Sequence, residues 1–348
     1  MQKFNINELK EYTTKNKLPF ILHWNLTDAC NLNCTHCCVP KKATFVPLET
    51  ALMTIEFLKE KGFFLITLSG GECLLHPNFK EIYLALKKAG MYISIFTNGT
   101  TLTKDLKELL ATYKPRKVEV SIYGWDNTSF CNATQSTGGY EKFLDTLDFL
   151  ETNQIRTIVK TPLSTRNGEH LQEYIDLANK YNASYKFGTF LFPMINGDKK
   201  PLEERLPYKQ AVSIEFSDSM ALEGFCARAK NKGHIAEHFS SKCSACTNSY
   251  TLNADNSFSF CGMMVEPKFH FHDRDSLEKA FNDVTNYRQS VIEMYENGPC
   301  ASCEKANVCP GCPAHLWLET GRTDVCNEYF KNITEEKLKY ANLDIMKY

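Results

Sequence analysis

Three cysteines, Cys30, Cys34 and Cys37, stand in a C-x3-C-x2-C run within a chain of 348 residues that carries 15 cysteines. Thiols clustered this closely in a reducing setting bind metal. Three thiolates fit three corners of a [4Fe–4S] cube and leave one iron without a protein ligand. An open iron can hold a substrate or a cofactor. A structural zinc site would want a fourth ligand, and His36 or Cys38 stands beside the run. A disulfide framework is disfavoured, because the cysteine count is odd and the residues up to Phe20 are polar, without the apolar stretch of an export signal.

Two further patterns carry chemistry. Ser69-Gly70-Gly71-Glu72 joins glycines, which let backbone approach a bound ligand closely, to a carboxylate suited to an ammonium group. Toward the C-terminus come Cys243-x2-Cys246, Cys261 after 14 residues, then Cys300-x2-Cys303-x5-Cys309-x2-Cys312, and Cys326. Eight thiolates suffice for two fully ligated [4Fe–4S] clusters, and two zinc sites would satisfy the same count. Cys38, Cys73, Cys131 and Cys226 remain, and free cysteines of this kind pack as small hydrophobes.

The elements that must position these residues alternate. Ile21–Thr27, Phe64–Leu68, Tyr92–Phe96, Val118–Ile122, Thr157–Lys160 and Tyr185–Phe192 are rich in β-branched and aromatic residues and read as strands. Amphipathic stretches lie between them: Phe143, Leu147 and Leu150 share one helical face, as do Leu171, Tyr174, Ile175 and Ala178. The spacing predicts parallel β/α units, too few for a full eight-unit barrel. The expected fold is α/β, a partial (β/α)6 barrel open on one side, with a C-terminal cysteine-rich domain. The three-cysteine loop and Glu72 then fall at the C-terminal ends of the first two strands, where barrel active sites form. The expected organisation is an N-terminal segment at 1–18 that caps the barrel, a core at 19–195, a bridge at 196–242, a cysteine domain at 243–330 and a C-terminal helix at 331–348. Residues 243–326 read as having little periodicity, so metal would have to supply their stability. Thr334–Met346 reads as the closing helix.

Cys30, Cys34 and Cys37 together with Ser69-Gly70-Gly71-Glu72 resemble the radical S-adenosylmethionine (SAM) superfamily over about residues 18–195. The resemblance implies that an open iron chelates the amino and carboxylate groups of SAM, and that Gly70, Gly71 and Glu72 line the methionine site. Reductive cleavage would give a 5′-deoxyadenosyl radical that abstracts hydrogen from substrate. Asn98, Ser121 and Lys160 are the positional candidates for contact with the SAM ribose. His36 stands where the family usually has an aromatic residue and is a candidate for stacking near the adenine. The later cysteines resemble the SPASM extension of that superfamily, with two departures: the last gap is x2 where x3 is usual, and Asn256 replaces a glycine five residues before Cys261. The family's interleaved ligation implies Cys243, Cys246, Cys261 and Cys312 at the nearer auxiliary cluster and Cys300, Cys303, Cys309 and Cys326 at the outer one, three [4Fe–4S] clusters in all.

SPASM enzymes mostly modify peptides or proteins, and Ser121 to Trp125, Gly138 to Phe143, and Pro201-Leu202 with Arg205-Leu206 resemble the peptide-modifying branch. The expected substrate is a short ribosomally made precursor that receives a crosslink such as a thioether, or is epimerised. Epimerisation needs a hydrogen-atom donor, and Cys73, Cys131 and Cys226 are the candidates. An electron donor such as flavodoxin or ferredoxin is the expected partner. The alternatives are a small-molecule substrate such as a tetrapyrrole, a protein such as a sulfatase, or a zinc-binding interaction protein without catalysis. The sulfatase branch carries Asp after the middle cysteine, whereas Gly262 follows Cys261 here. With few residues before the first strand, a fused leader-binding domain is not expected. Lys+Arg of 40 against Asp+Glu of 41 leaves no broad footprint for nucleic acid or an anionic membrane. No run approaches the length of a membrane span. Oxygen-labile clusters make a cytoplasmic, low-oxygen setting the expectation.

Overall fold

The computed structural model describes residues 5–230, 243–323 and 325–342. The parts of the expected bridge at 231–242 and of the closing segments at 1–4 and 343–348 lie outside the described residues.

Helices alternate with strands through the first half of the chain. The order is α1 (Ile6–Lys15), β1 (Ile21–Thr27), α2 (Leu48–Glu60), β2 (Leu65–Gly70), α3 (Phe79–Lys88), β3 (Tyr92–Thr97), α4 (Lys104–Thr112) and β4 (Lys117–Ser121). Then come α5 (Asn127–Thr134), α6 (Gly139–Thr152), β5 (Thr157–Pro162), α7 (Leu171–Lys180), β6 (Ser184–Gly188), α8 (Tyr208–Glu215) and α9 (Ser219–Lys230). The C-terminal part adds β7 (Ser249–Asn253), β8 (Ser257–Ser259), β9 (Phe269–His270), α10 (Arg274–Glu296), α11 (Pro313–Thr320) and α12 (Glu328–Tyr340).

All six expected strands form, and they lie side by side in chain order as a partial barrel, each parallel to the next. Along β1 burial follows the strand period of two, whereas β2 to β5 each carry three consecutive buried residues, as strands covered on both faces do. Leu22, Trp24 and Leu26 of β1 are fully buried, and Ile55, Leu58, Ile82 and Leu86 of the covering helices join the same core. Inside the curve of the sheet the chain is polar. Glu119 on β4 binds Lys117 of its own strand and Lys160 of β5 at 3.1 Å. His23 on β1 feels all three charges.

The sheet continues past β1. β7 pairs with it in parallel register, Leu22 opposite Tyr250 and Trp24 opposite Leu252, and β8 and β9 follow antiparallel. Residues 243–326 are therefore more regular than their sequence suggests, which corrects the expectation of little periodicity. The largest omission is α10. Its buried Leu277, Phe281, Val284, Arg288, Val291 and Ile292 recur at helical spacing, and Asp273 and Ser276 close a capping box at its start. The apolar stripe is diluted by charged residues and interrupted by Arg288, which hides its period. Arg288 is buried because its guanidinium donates to the Thr247 carbonyl at 2.6 Å and the Ser249 carbonyl at 3.0 Å and lies over the Tyr250 ring at 4.2 Å.

Two boundaries also move. β6 stops at Gly188, short of Phe192; its last register partner on β5 is Pro162, and the Leu163 N–H closes the ladder on the Gly188 carbonyl at 2.8 Å. The closing helix starts at Glu328, with Asn327 accepting from the Phe330 N–H, and ends at Tyr340. At the opposite end of the sheet, α1 lies across the foot of β1 and β7: Asn248 donates to the hydroxyls of Thr13 and Thr14 at 3.0 Å each, and its carbonyl accepts from the N–H of Phe20 and of Ile21.

Replacing Arg288 with Met leaves two buried carbonyls without donors. We expect a loss of about 3 kcal/mol in unfolding free energy, measured by denaturant titration of anaerobically prepared protein.

Candidate active site

The three-cysteine loop leaves the C-terminal end of β1 and is held from both sides. Asn31 donates to the Thr100 hydroxyl at 2.8 Å and accepts from the Asn98 amide at 2.9 Å. The backbone N–H groups of Asn33 and Thr35 donate to the Thr134 and Ala133 carbonyls at the end of α5, at 2.8 and 3.1 Å. Cys34 is pushed well above the usual thiol range, by burial first and then by the charges of Cys37 and Cys30, so the three sulfurs share one space.

The Gly70-Gly71 pair packs the end of β2 directly onto this loop's root. The Gly71 and Glu72 N–H groups donate to the Thr27 and Ala29 carbonyls, both at 2.8 Å. A Cβ at Gly70 would stand 2.1 Å from the Thr27 carbonyl oxygen, and one at Gly71 would stand 2.4 Å from that of Ala29. The glycines thus serve a close backbone approach within the protein.

Glu72 does not reach the cavity surface. Its carboxylate accepts from the N–H of Asn98 at 2.7 Å, the N–H of Leu74 at 3.1 Å and the Thr97 hydroxyl at 2.9 and 3.0 Å. Burial raises its pKa to about 7 against the pull of these donors. Its place in the structure is a buried clasp between the ends of β2 and β3.

Above these strand ends lies a cavity of about 310 Å³, within the size range of small-molecule sites. Cys30, Cys34, Cys37, His36, Gly70, Gly71, Asn98, Ser121 and Lys160, all expected at the site, line it together. His36 lies against Tyr123 with ring centroids 4.9 Å apart and planes tilted by 42°, and burial lowers its pKa to about 4, so the ring is neutral at pH 7. Lys160 lies over the Phe96 ring at 3.4 Å and pairs with Glu119, while burial lowers its pKa. The Asn98 side chain is occupied by Asn31 and Thr100.

The C-terminal thiols gather in two groups. Cys243 and Cys246 share a hydrogen bond that lowers the first thiol and raises the second, and Cys246 also feels Cys261. Cys312 is raised to about 12 by burial, with Cys261 and Cys243 as its charged neighbours. Cys300 is raised to about 11 by burial and by Cys309, Cys303 and Cys326. Cys326 has Cys309 and Cys303 beside it. Cys312 thus lies near Cys243 and Cys261 although a long stretch of sequence separates them. Tyr295 stands between the groups and feels members of both. Among the described residues no three His, Cys, Asp or Glu side chains converge tightly enough for one metal ion. Three thiols at the cavity and two sets of four behind it fit the donor count of three iron–sulfur cubes.

The hydrogen-donor candidates are not at the cavity. Cys73 is fully buried and donates to the Phe96 carbonyl at 3.3 Å. Cys131 on α5 contacts Asn127, and Cys226 lies on α9. The leftover thiol that does line the cavity is Cys38, expected as a packed thiol or as the fourth ligand of a zinc site. Asp28, Tyr123 and the Phe190–Phe192 segment also line it and were not anticipated. A period-two count from Ser121 reaches Tyr123. Phe190 and Phe192 were hidden by being read as strand.

Residues 24–179 match the model of the Radical SAM superfamily. The AdoMet-dependent heme synthase of Methanosarcina barkeri is 26% identical over 329 residues, covering 87% of this chain and 93% of that protein. The antilisterial bacteriocin subtilosin biosynthesis protein AlbA of Bacillus subtilis is 37% identical over 112 residues, 31% of this chain and 25% of AlbA. Streptococcus suis SuiB bound to precursor peptide SuiA superposes with a TM-score of 0.69 at 14% identity, over 93% of this chain and 78% of SuiB. At that identity the likeness is one of fold. No helix among the described residues is long and apolar enough to cross a membrane.

Gly71→Ala forces its Cβ against backbone at the loop root. We expect loss of about four irons per chain, one cubane's worth, while Gly224→Ala on α9, where a Cβ meets nothing closer than 3.5 Å, keeps its full iron content in the same assay.

Proposed function

This chain carries a radical SAM domain, and we propose that it uses that domain to abstract hydrogen from a ribosomally made peptide, installing a crosslink or an epimerised residue. The observation that carries this reading is the convergence of Cys30, Cys34 and Cys37 on one cavity at the C-terminal ends of the parallel strands. These thiols would hold a [4Fe–4S] cluster in the cavity that Gly70, Gly71, Ser121 and Lys160 also line. With SAM bound, that cluster supplies a 5′-deoxyadenosyl radical on reduction.

The remaining roles belong to this chain's residues. The Gly70-Gly71 backbone and the Asn31–Asn98–Thr100 network hold the loop against the sheet. Glu72 acts beneath the methionine site by fixing the ends of β2 and β3. The Glu119–Lys160 pair keeps an uncompensated ammonium away from a cationic ligand. His36, neutral and tilted against Tyr123, offers a ring without charge. Cys243, Cys246, Cys261 and Cys312 would hold the nearer auxiliary cluster, and Cys300, Cys303, Cys309 and Cys326 the outer one. Full ligation suits both to electron transfer or structural support, with flavodoxin or ferredoxin as the donor class. A peptide substrate is supported by the relationship to AlbA and by the fold shared with SuiB in complex with its precursor.

A tetrapyrrole substrate is the second reading. It is favoured by the end-to-end match to the heme synthase, which spans far more of the chain than the match to AlbA.

Anaerobic reconstitution is expected to load about 12 irons, four per cluster. SAM with dithionite should release 5′-deoxyadenosine. Replacing Cys30, Cys34 and Cys37 together with Ala should leave about eight irons and abolish that release. Four irons or fewer in the unaltered chain would overturn the three-cluster assignment. Incubation with a cysteine-bearing precursor peptide and, separately, with an iron porphyrin then separates the substrates: a mass change in the peptide alone supports the first reading, and consumption of the porphyrin alone replaces it with the second.

A further inference from the structure

One wall of the cavity belongs to neither the cysteine loop nor the strand ends. Phe190, Leu191 and Phe192 leave β6 and line the cavity on one side. Their other side packs on the C-terminal helices. Phe192 stacks on His315 of α11 at 4.3 Å, and Phe190 meets Phe330 of α12 edge-on at 5.9 Å. Both helices begin at cysteine sites, Cys312 being the N-cap of α11 and Cys326 lying just before the N-cap of α12.

The segment's backbone is gripped from the bridge. Arg205 donates to the Leu191 carbonyl from Nε at 2.9 Å and from Nη2 at 2.5 Å. The same guanidinium forks onto Glu319 of α11, Nη1 to Oε2 at 3.1 Å and Nη2 to Oε1 at 2.5 Å. Glu319 also accepts from Asn327, the N-cap of α12, at 2.5 Å. The guanidinium lies 4.4 Å from the centre of the Tyr329 ring, and both Arg205 and Glu319 are almost wholly buried, at 7% and 8% side-chain exposure. Desolvation offsets much of the attraction in a buried pair. What a two-pronged fork adds is orientation. Here it ties one wall carbonyl, one helix and the cap of the next helix to a single planar group.

We propose that Phe190, Leu191 and Phe192 form the substrate-selecting wall of the cavity, admitting an apolar or aromatic substrate group, and that Arg205 is the positioning residue that sets this wall from the C-terminal cysteine region. The inference rests on the proposed function and assigns a further task to the eight C-terminal thiols: by fixing the starts of α11 and α12, they fix the cavity's shape.

The test is amide hydrogen exchange on the anaerobic, iron-loaded full chain. Arg205→Met should speed exchange of the amides at 189–192 by about tenfold or more, with iron per chain unchanged and exchange in β1 to β4 unchanged. Arg205→Lys should restore only part of the protection, because a point charge cannot make the fork. Glu319→Gln, which keeps the shape, should give a smaller rise in the same amides. Unchanged protection at 189–192 overturns the proposal. So does a rise spread evenly over the sheet or a loss of iron, either of which makes Arg205 a general brace. If Arg205→Met does not fold, Glu319→Gln carries the test on the same terms, and failure of both to fold also overturns it. SAM cleavage by the unaltered protein checks the proposed function separately, so the two can fail independently.

Discussion

The approach of the Gly70-Gly71 backbone to Thr27, Asp28 and Ala29 places everything else at the site. Two peptide N–H groups donate across this contact, and no side chain can be inserted into it without displacing a carbonyl. The contact turns the chain leaving β1 over the ends of β2 and β3, so Cys30, Cys34 and Cys37 face the cavity. Glu72 follows directly and spends its carboxylate on β3 and on the turn that begins at Cys73. The motif is therefore a hinge plate within the protein as much as a ligand surface.

A second constraint is the continuity of the sheet. β7 belongs by sequence to the cysteine-rich part, yet it hydrogen-bonds along β1, whose far end carries the first cysteine loop. Arg288 fixes α10 to β7 beside Cys243 and Cys246, and Arg205 fixes the cavity wall to α11 and α12. Both arginines are buried with their donors satisfied by carbonyls or a carboxylate, the condition under which a buried cation is tolerated. The C-terminal region is thus built onto the barrel and shares its sheet, its core and one wall of its cavity.

Much of this was legible in residue type and spacing. Cys30, Cys34 and Cys37 are local in sequence, and strands of β-branched residues alternating with amphipathic helices follow from period alone, so the parallel order of β1 to β6 could be read directly. Gly70, Gly71, Ser121 and Lys160 fall at strand ends, and strand ends converge in any such barrel. The less legible features depend on contacts between distant segments. Tyr123 lines the cavity against the His36 ring, which reaches it from the cysteine loop. Cys73 leaves it because the turn after Glu72 points the thiol at Phe96. α10 escaped notice because its stripe is broken by an arginine whose partners lie some forty residues earlier.

Sequence by itself determined the chemistry on offer: eleven clustered thiols, a glycine pair with a carboxylate, and a strand-and-helix rhythm that puts the first three thiols at a barrel mouth. Those properties are local, written in spacing and in the backbone preferences of single residues. Tertiary structure alone decided which thiols stand together, with Cys312 beside Cys243 and Cys261, that Glu72 is a buried clasp, and that Phe190 to Phe192 close the cavity under the hold of Arg205. The physical reason is that a hydrogen bond or a packed ring face needs a partner in place, and these partners lie far away along the chain, Phe330 being 140 residues from Phe190.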